Sequence, residues 1–232
     1  MLDALTPAEW SAIGLSLRVA VTAALCSLPF GVLVATILAR FRFPGRALVD
    51  GVVHLPLVMP PVVTGYLLLL AFGRHGPVGG LLERTFGIVL AFNWTGAALA
   101  AAIMGFPLMV RAIRLSIEAI DRRLEDAAAT LGANRLVVLA SVTLPLALPG
   151  ILAGTVLSFA RGLGEFGATI TFVGNIPGLT RTMPSAIYAD IQVPGGDGPA
   201  LRLTAVAVVI AFLALLASEA LARRASRRTL GR

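Results

Sequence analysis

Long apolar runs dominate this chain and restrict what it can fold into. Only 13% of its 232 residues are charged and 57% are hydrophobic, whereas about a quarter of the residues in a soluble domain are charged. Several of the runs reach the length of about 20 residues that crosses a hydrocarbon core. The sequence therefore predicts an all-α, polytopic membrane protein with about five transmembrane helices in a single domain, residues 1–232. The predicted spans are 11–39, 49–72, 87–109, 146–172 and 203–221.

The distribution of arginine predicts the orientation of these spans. All 19 basic residues are arginine, and 13 of them lie in segments 40–46 and 110–136 and in the tail after residue 222. The positive-inside rule assigns arginine-rich segments to the cytoplasm, so we expect the N-terminus outside and the C-terminus inside. The net charge of +7 thus reflects topology, and we expect no nucleic-acid partner. No basic residue precedes the first run, so we expect the first helix to be retained rather than cleaved as a signal peptide.

Prolines interrupt the second run. Pro56 and Pro60 lie one helical turn apart and Pro61 follows directly. Proline removes a backbone donor and kinks a helix, which membranes tolerate where neighbouring helices or water satisfy the freed groups. Two interpretations remain open: an irregularity of packing, or a kinked helix beside a transport pathway that includes Pro60 and Pro61.

Two charged residues lie inside the fourth run. Arg161 and Glu165 are four positions apart, so one helical face can hold both and the charges can neutralise each other. A buried ion pair that fixes packing is one interpretation. We favour a pathway or gate, because charge within a membrane is a functional hypothesis by default. Glycines 162, 164 and 167 predict an unwound or mobile element around the pair.

The sequence offers no residues for catalysis or for a metal site. It contains no phosphate-binding loop of the form GxxxxGK[ST] and no HExxH or GxSxG motif, so we expect it neither to be an enzyme nor to hydrolyse ATP by itself. The single cysteine and two distant histidines give no case for a metal ligand set.

The segment EDAAATLGANRLVVLASVTLP, residues 125–145, is unusually polar for this chain and lies in the predicted cytoplasmic loop 110–145. Its spacing resembles the EAA motif of permease subunits of bacterial ABC importers. In that family the segment forms a short helix that docks on a separate ATPase subunit. The resemblance therefore implies these coupling residues: Glu125, Asp126, Ala127, Ala128, Gly132, Leu144 and Pro145.

The residue types suit such a coupling helix. Residues 124–131 favour a helix, Gly132 permits a sharp turn after it, and Pro145 is expected to start the next helix. In this register Asp126 occupies the acidic position of the motif and Glu125 precedes it. Either acid can therefore carry the role of that position.

Longer stretches are similar to the permeases of molybdate transport, among them FPGRALVDGVVHLPLVMPPVVTGYLLL and TLPLALPGILAGTVLSFARGLGEFGATITFVGNIPG. This resemblance covers most of the chain and implies translocation of molybdate by alternating access in a bacterial inner membrane. It implies a second permease copy, two cytoplasmic ATPase subunits and a periplasmic molybdate-binding protein as partners. ATP and magnesium would bind the ATPase, leaving this chain without a cofactor.

Three alternatives stay open. Relatives of the molybdate permeases carry sulfate or tungstate, and the motif does not separate these oxyanions. An ion-coupled secondary transporter would need ligands for a coupling ion and can show repeated halves, but the sequence shows no convincing repeat. A membrane scaffold would need no polar pathway.

Overall fold

The computed structural model describes residues 5–229, which form helices and turns without a β-strand. The all-α architecture predicted from the sequence is confirmed. A π-helical turn, Leu139–Thr143, joins α7 directly to α8. The α-helices within the described range are α1 (Pro7–Arg40), α2 (Arg46–Val58), α3 (Pro61–Phe72), α4 (Pro77–Phe86), α5 (Trp94–Glu118), α6 (Arg122–Thr130), α7 (Arg135–Val138), α8 (Leu144–Leu163), α9 (Gly167–Val173), α10 (Met183–Asp190) and α11 (Asp197–Thr229).

Several of these helices are suited to a bilayer. In the described part of the chain, four stretches are long and apolar enough to cross one, and α2 with α3 makes a fifth candidate if that bent pair is one span. The four are Pro7–Arg40, Trp94–Glu118, Arg135–Leu163 and Asp197–Ala217. The arginine side chains after residue 222, which contribute to the predicted orientation, lie outside the described side chains.

Helix α5 lies at the centre of the bundle, packed against α1 and α8. Small residues bring these backbones together, because a Cβ added at Gly154 of α8 would lie 2.9 Å from the carbonyl oxygen of Met109 on α5. Small residues spaced four apart allow such close approach between membrane helices, and Gly150 and Gly154 both face α5. The buried apolar residues of α5 include Ala97, Ala100, Ala101, Met104, Val110, Ile113 and Ile117.

The predicted span 49–72 is not one kinked helix. It is two helices, α2 and α3, that meet at an angle of 113°. Pro56 lies inside α2, and the break falls at Met59 and Pro60, with Pro61 as the first residue of α3. Consecutive prolines favour a break here, because neither can donate a helical hydrogen bond and Pro61 disfavours helical geometry at Pro60.

Three other predicted boundaries are corrected. The span predicted at 87–109 begins later, at Trp94, and continues to Glu118, so the first residues of the predicted loop 110–145 are helical. That continuation is favourable because Ile113 and Ile117 are buried. The segment 146–172 is interrupted at residues 164–166, between α8 and α9, and the last helix starts at Asp197 rather than at 203.

Candidate coupling and pathway sites

Helix α6 is the short element that the sequence predicts at residues 124–131. It begins after Asp121, whose carboxylate accepts a hydrogen bond from the N–H of Arg123 at 3.0 Å. Gly132 follows with a φ of 87°, a left-handed conformation that costs other residues about 1–2 kcal/mol. A Cβ at Gly132 would meet nothing within 4 Å, so the backbone conformation alone favours glycine at this turn.

The two acids at the start of the motif face in different directions. One carboxylate oxygen of Glu125, Oε1, accepts hydrogen bonds from Nε of Arg40 at 3.1 Å and from Oγ1 of Thr143 at 2.6 Å. The Glu125 side chain is 16% exposed, whereas Asp126 is exposed. We call Arg40, Glu125 and Thr143 the α6 cluster.

The remaining surface of α6 and its turn is open and partly apolar. Helix α6 has no buried residue, Ala127 is exposed and Ala128 is half-buried. Leu131 is 89% exposed and Leu136 is 76% exposed. Leu131 lies between the candidate spans, whereas Leu136 is at the start of the candidate span Arg135–Leu163. An exposed apolar side chain outside the spans, such as that of Leu131, is typical of a protein contact surface.

Leu144 and Pro145 do not begin a new helix. The helix has already started at Arg135, after the Asn134 side chain accepts a hydrogen bond from the N–H of Val137 at 2.9 Å. It continues through the π turn into α8, with Pro145 as the second residue of α8. The N–H of Leu144, directly before Pro145, donates to the carbonyl oxygen of Leu139, five positions back, which closes the π turn. Single π turns are frequent at functional sites.

Arg161 and Glu165 form the ion pair that their spacing predicts. Nη1 of Arg161 lies 2.6 Å from Oε2 of Glu165, and the Glu165 side chain is only 1% exposed. The other oxygen of Glu165 accepts a hydrogen bond from the N–H of Ala168 at 2.8 Å, in the first turn of α9. The pair therefore spans the break between α8 and α9, and we call these two residues the membrane pair.

The break at Pro60 and Pro61 lies beside this second break. A Cβ added at Gly167 would lie 2.7 Å from Cβ of Pro61, and one added at Gly65 would lie 2.8 Å from Cα of Ala168. Helices α3 and α9 thus start next to each other and pack with almost no space between them. The structure brings the four predicted pathway residues into one region, where two helical segments are interrupted.

Sequence reasoning missed three participants: Arg40, Thr143 and Gly65. Arg40 counted only as one of the arginines that predict the orientation, and Thr143 only as a position within the motif. No sequence signal pairs either residue with Glu125. Gly65 carried no signal at all. Within residues 5–229, no three His, Cys, Asp or Glu side chains gather into a set that can hold a metal ion.

Most of the chain matches known proteins. A family model described as "Binding-protein-dependent transport system inner membrane component" matches residues 27–227. The molybdenum transport system permease protein ModB of Escherichia coli (strain K12) is 61% identical over 94% of this chain and 96% of its own length. The sulfate transport system permease protein CysT of the same strain is 39% identical over 87% of this chain and 72% of its own length.

A solved structure with a similar fold is that of a bacterial alginate ABC transporter in complex with an alginate pentasaccharide-bound periplasmic protein. The TM-score is 0.74, and the match covers 94% of this chain and 80% of that chain. The sequence identity is 19%, so the likeness concerns the fold. The chain therefore has the helical fold of an ABC importer permease.

Proposed function

Because this chain belongs to the family of binding-protein-dependent transport system inner membrane components, we propose that it is the permease subunit of an ATP-driven importer for molybdate. The observation that carries the proposal is the similarity to ModB along nearly the whole of both chains. The sulfate permease CysT is more distant and aligns with a smaller share of its own length. Molybdate is therefore favoured over sulfate.

The proposed assembly contains a second copy of this chain, two cytoplasmic ATPase subunits and a periplasmic molybdate-binding protein. Helix α6 is the proposed contact with the ATPase, which would bind the ATP and magnesium. Two observations support this contact: α6 has no buried residue, and Leu131 and Leu136 beside it are exposed. The arginine distribution favours a cytoplasmic location for α6 and the C-terminus, with the N-terminus outside.

The proposed mechanism is alternating access. ATP binding would close the ATPase subunits, move α6 and open the permease outward, so that the binding protein releases its oxyanion between two permease copies. ATP hydrolysis would reset the assembly. The membrane pair and Pro60–Pro61 are the proposed gate, because they lie together where two helical segments are interrupted. Arg161 brings a positive charge to this region, and Glu165 at 2.6 Å offsets much of it.

Reconstitution tests the proposal directly. The chain, its co-purified ATPase and the binding protein are placed in vesicles, and uptake of labelled molybdate is followed with and without ATP on the ATPase side. We expect uptake that requires ATP and the binding protein. Uptake driven by an ion gradient without ATP would contradict the importer and support a secondary transporter.

Competition then separates the oxyanions. Unlabelled molybdate, tungstate and sulfate are added in turn to the assembled complex during uptake of labelled molybdate. We expect sulfate to compete poorly. Stronger competition by sulfate than by unlabelled molybdate would assign the chain to sulfate transport instead.

A further inference from the structure

Helix α6 is attached to the rest of the described protein by few contacts. None of its residues is buried, and its close neighbours are α7 and the π turn. Glu125 is the main polar anchor of α6, because its carboxylate accepts one hydrogen bond from Arg40 and one from Thr143. The α6 cluster therefore ties α6 to the other helices.

Glu125 connects α6 to two different spans. Arg40 is the last residue of α1, and Thr143 is the last residue of the π turn that continues into α8. Both donate to the same oxygen, Oε1 of Glu125. A displacement of α6 must therefore move the ends of α1 and α8 with it or disrupt one of these bonds.

The helical stretch that contains Thr143 continues through α8 to Arg161 of the membrane pair. Thr143 and Arg161 are 18 positions apart in a continuous helical stretch, which corresponds to about 27 Å at the usual helical rise. A continuous helix transmits a shift of one end to the other. Thr143 of the α6 cluster and Arg161 of the membrane pair thus lie on one helical stretch, Arg135–Leu163.

We infer that Glu125 is a positioning residue that transmits movement of α6 to α1 through Arg40 and to α8 through Thr143. The inference rests on the proposed function, since it concerns how ATPase movement reaches the spans. The surroundings of Arg40 make its contact with Glu125 important, because Nη2 of Arg40 is buried and has no hydrogen-bond partner within residues 5–229. Loss of the Glu125 charge would leave this guanidinium without its counter-charge.

The test compares Glu125→Gln with Asp50→Asn in the complete reconstituted complex. Asp50→Asn is the matched control, because Asp50 also pairs with an arginine of another helix, Arg114 at 2.8 Å, but does not touch α6. The measured quantity is molybdate taken up per ATP hydrolysed. We expect Glu125→Gln to lower this ratio by roughly tenfold, within the range of coupling between linked sites, while ATP hydrolysis continues. Asp50→Asn should keep the wild-type ratio.

Exchange of the charges covers the case in which Glu125→Gln no longer retains the ATPase. The double variant Arg40→Glu with Glu125→Arg restores an ion pair between the same two elements, and we expect it to recover ATPase retention and part of the ratio. A wild-type ratio in Glu125→Gln, or an assembled exchange variant without recovery, would overturn the inference. Wild-type uptake without ATP would instead overturn the proposed function, so the two failures are distinguishable.

Discussion

The membrane pair and the α6 cluster use the same chemistry in different ways. Each joins an arginine to a glutamate, at 2.6 Å between Arg161 and Glu165 and at 3.1 Å between Arg40 and Glu125. The partners of the first are four positions apart, whereas those of the second are 85 positions apart on separate helices. The pair of Arg161 and Glu165 therefore neutralises charge within one local segment. The pair of Arg40 and Glu125 instead depends on the relative position of two separate helices, α1 and α6.

Burial makes the membrane pair the costlier of the two to disrupt. The Glu165 side chain is 1% exposed, so a neutral residue at position 161 leaves a buried carboxylate without its counter-charge. We expect Arg161→Met to lower the free energy of unfolding in detergent by about 3–5 kcal/mol and to abolish uptake. Chemical denaturation and vesicle uptake measure the two effects.

A double variant tests whether that loss comes from the stranded charge. Arg161→Met with Glu165→Gln removes both charges and retains an oxygen that can accept the bond from the N–H of Ala168. We expect it to be more stable than Arg161→Met alone. Equal stability of the two variants would show that the charges do not act as a pair.

The contact between α3 and α9 holds the surroundings of the membrane pair. A Cβ at Gly65 would lie 2.8 Å from Cα of Ala168, which is backbone and cannot turn aside. We expect Gly65→Ala to lower the free energy of unfolding by about 1–3 kcal/mol, as for other overpacked sites, and to reduce uptake. Gly14→Ala in α1 is the control, since its Cβ would meet nothing within 4 Å and stability should be unchanged or slightly higher. A stable, active Gly65→Ala would mean that the contact is loose.

The turn at Gly132 sets the direction in which the chain leaves α6 towards α7. Its φ of 87° costs a branched or bulky residue about 1–2 kcal/mol. We expect Gly132→Leu to reduce both retention of the ATPase and uptake, whereas Gly132→Asn should retain them because asparagine adopts this conformation more readily. Co-purification and uptake measure both variants. Full coupling in Gly132→Leu would contradict the role of the turn.

Short-range features were predictable from the sequence, and long-range ones were not. The spacing of Arg161 and Glu165 predicted their contact because four positions make one helical turn. Gly132 was likewise predictable, since its role is local backbone conformation. Nothing in the sequence relates Arg40 to Glu125, because both charges suit a solvated segment between spans equally well.

The predicted spans show the same division. Hydropathy located the apolar segments but gave one kinked helix at 49–72, where the structure has two helices at 113°. Whether two prolines bend or break a helix depends on what packs at the break, and the start of α9 beside Pro61 is a tertiary contact. The extension of α5 to Glu118 also depends on tertiary packing, because burial of Ile113 and Ile117 continues the helix beyond the apolar run.

Thr143 allows the mildest test of the α6 cluster, because its hydroxyl can be removed without changing charge or shape. Thr143→Val deletes the 2.6 Å hydrogen bond to Glu125 and keeps the branched side chain. We expect a loss of about 1 kcal/mol in the free energy of unfolding, with a small decrease in molybdate taken up per ATP. Thr143→Ser keeps the hydroxyl and should retain the wild-type ratio. If Thr143→Val and Thr143→Ser show the same ratio, α8 does not receive its movement through Glu125, and Arg40 on α1 is the remaining connection.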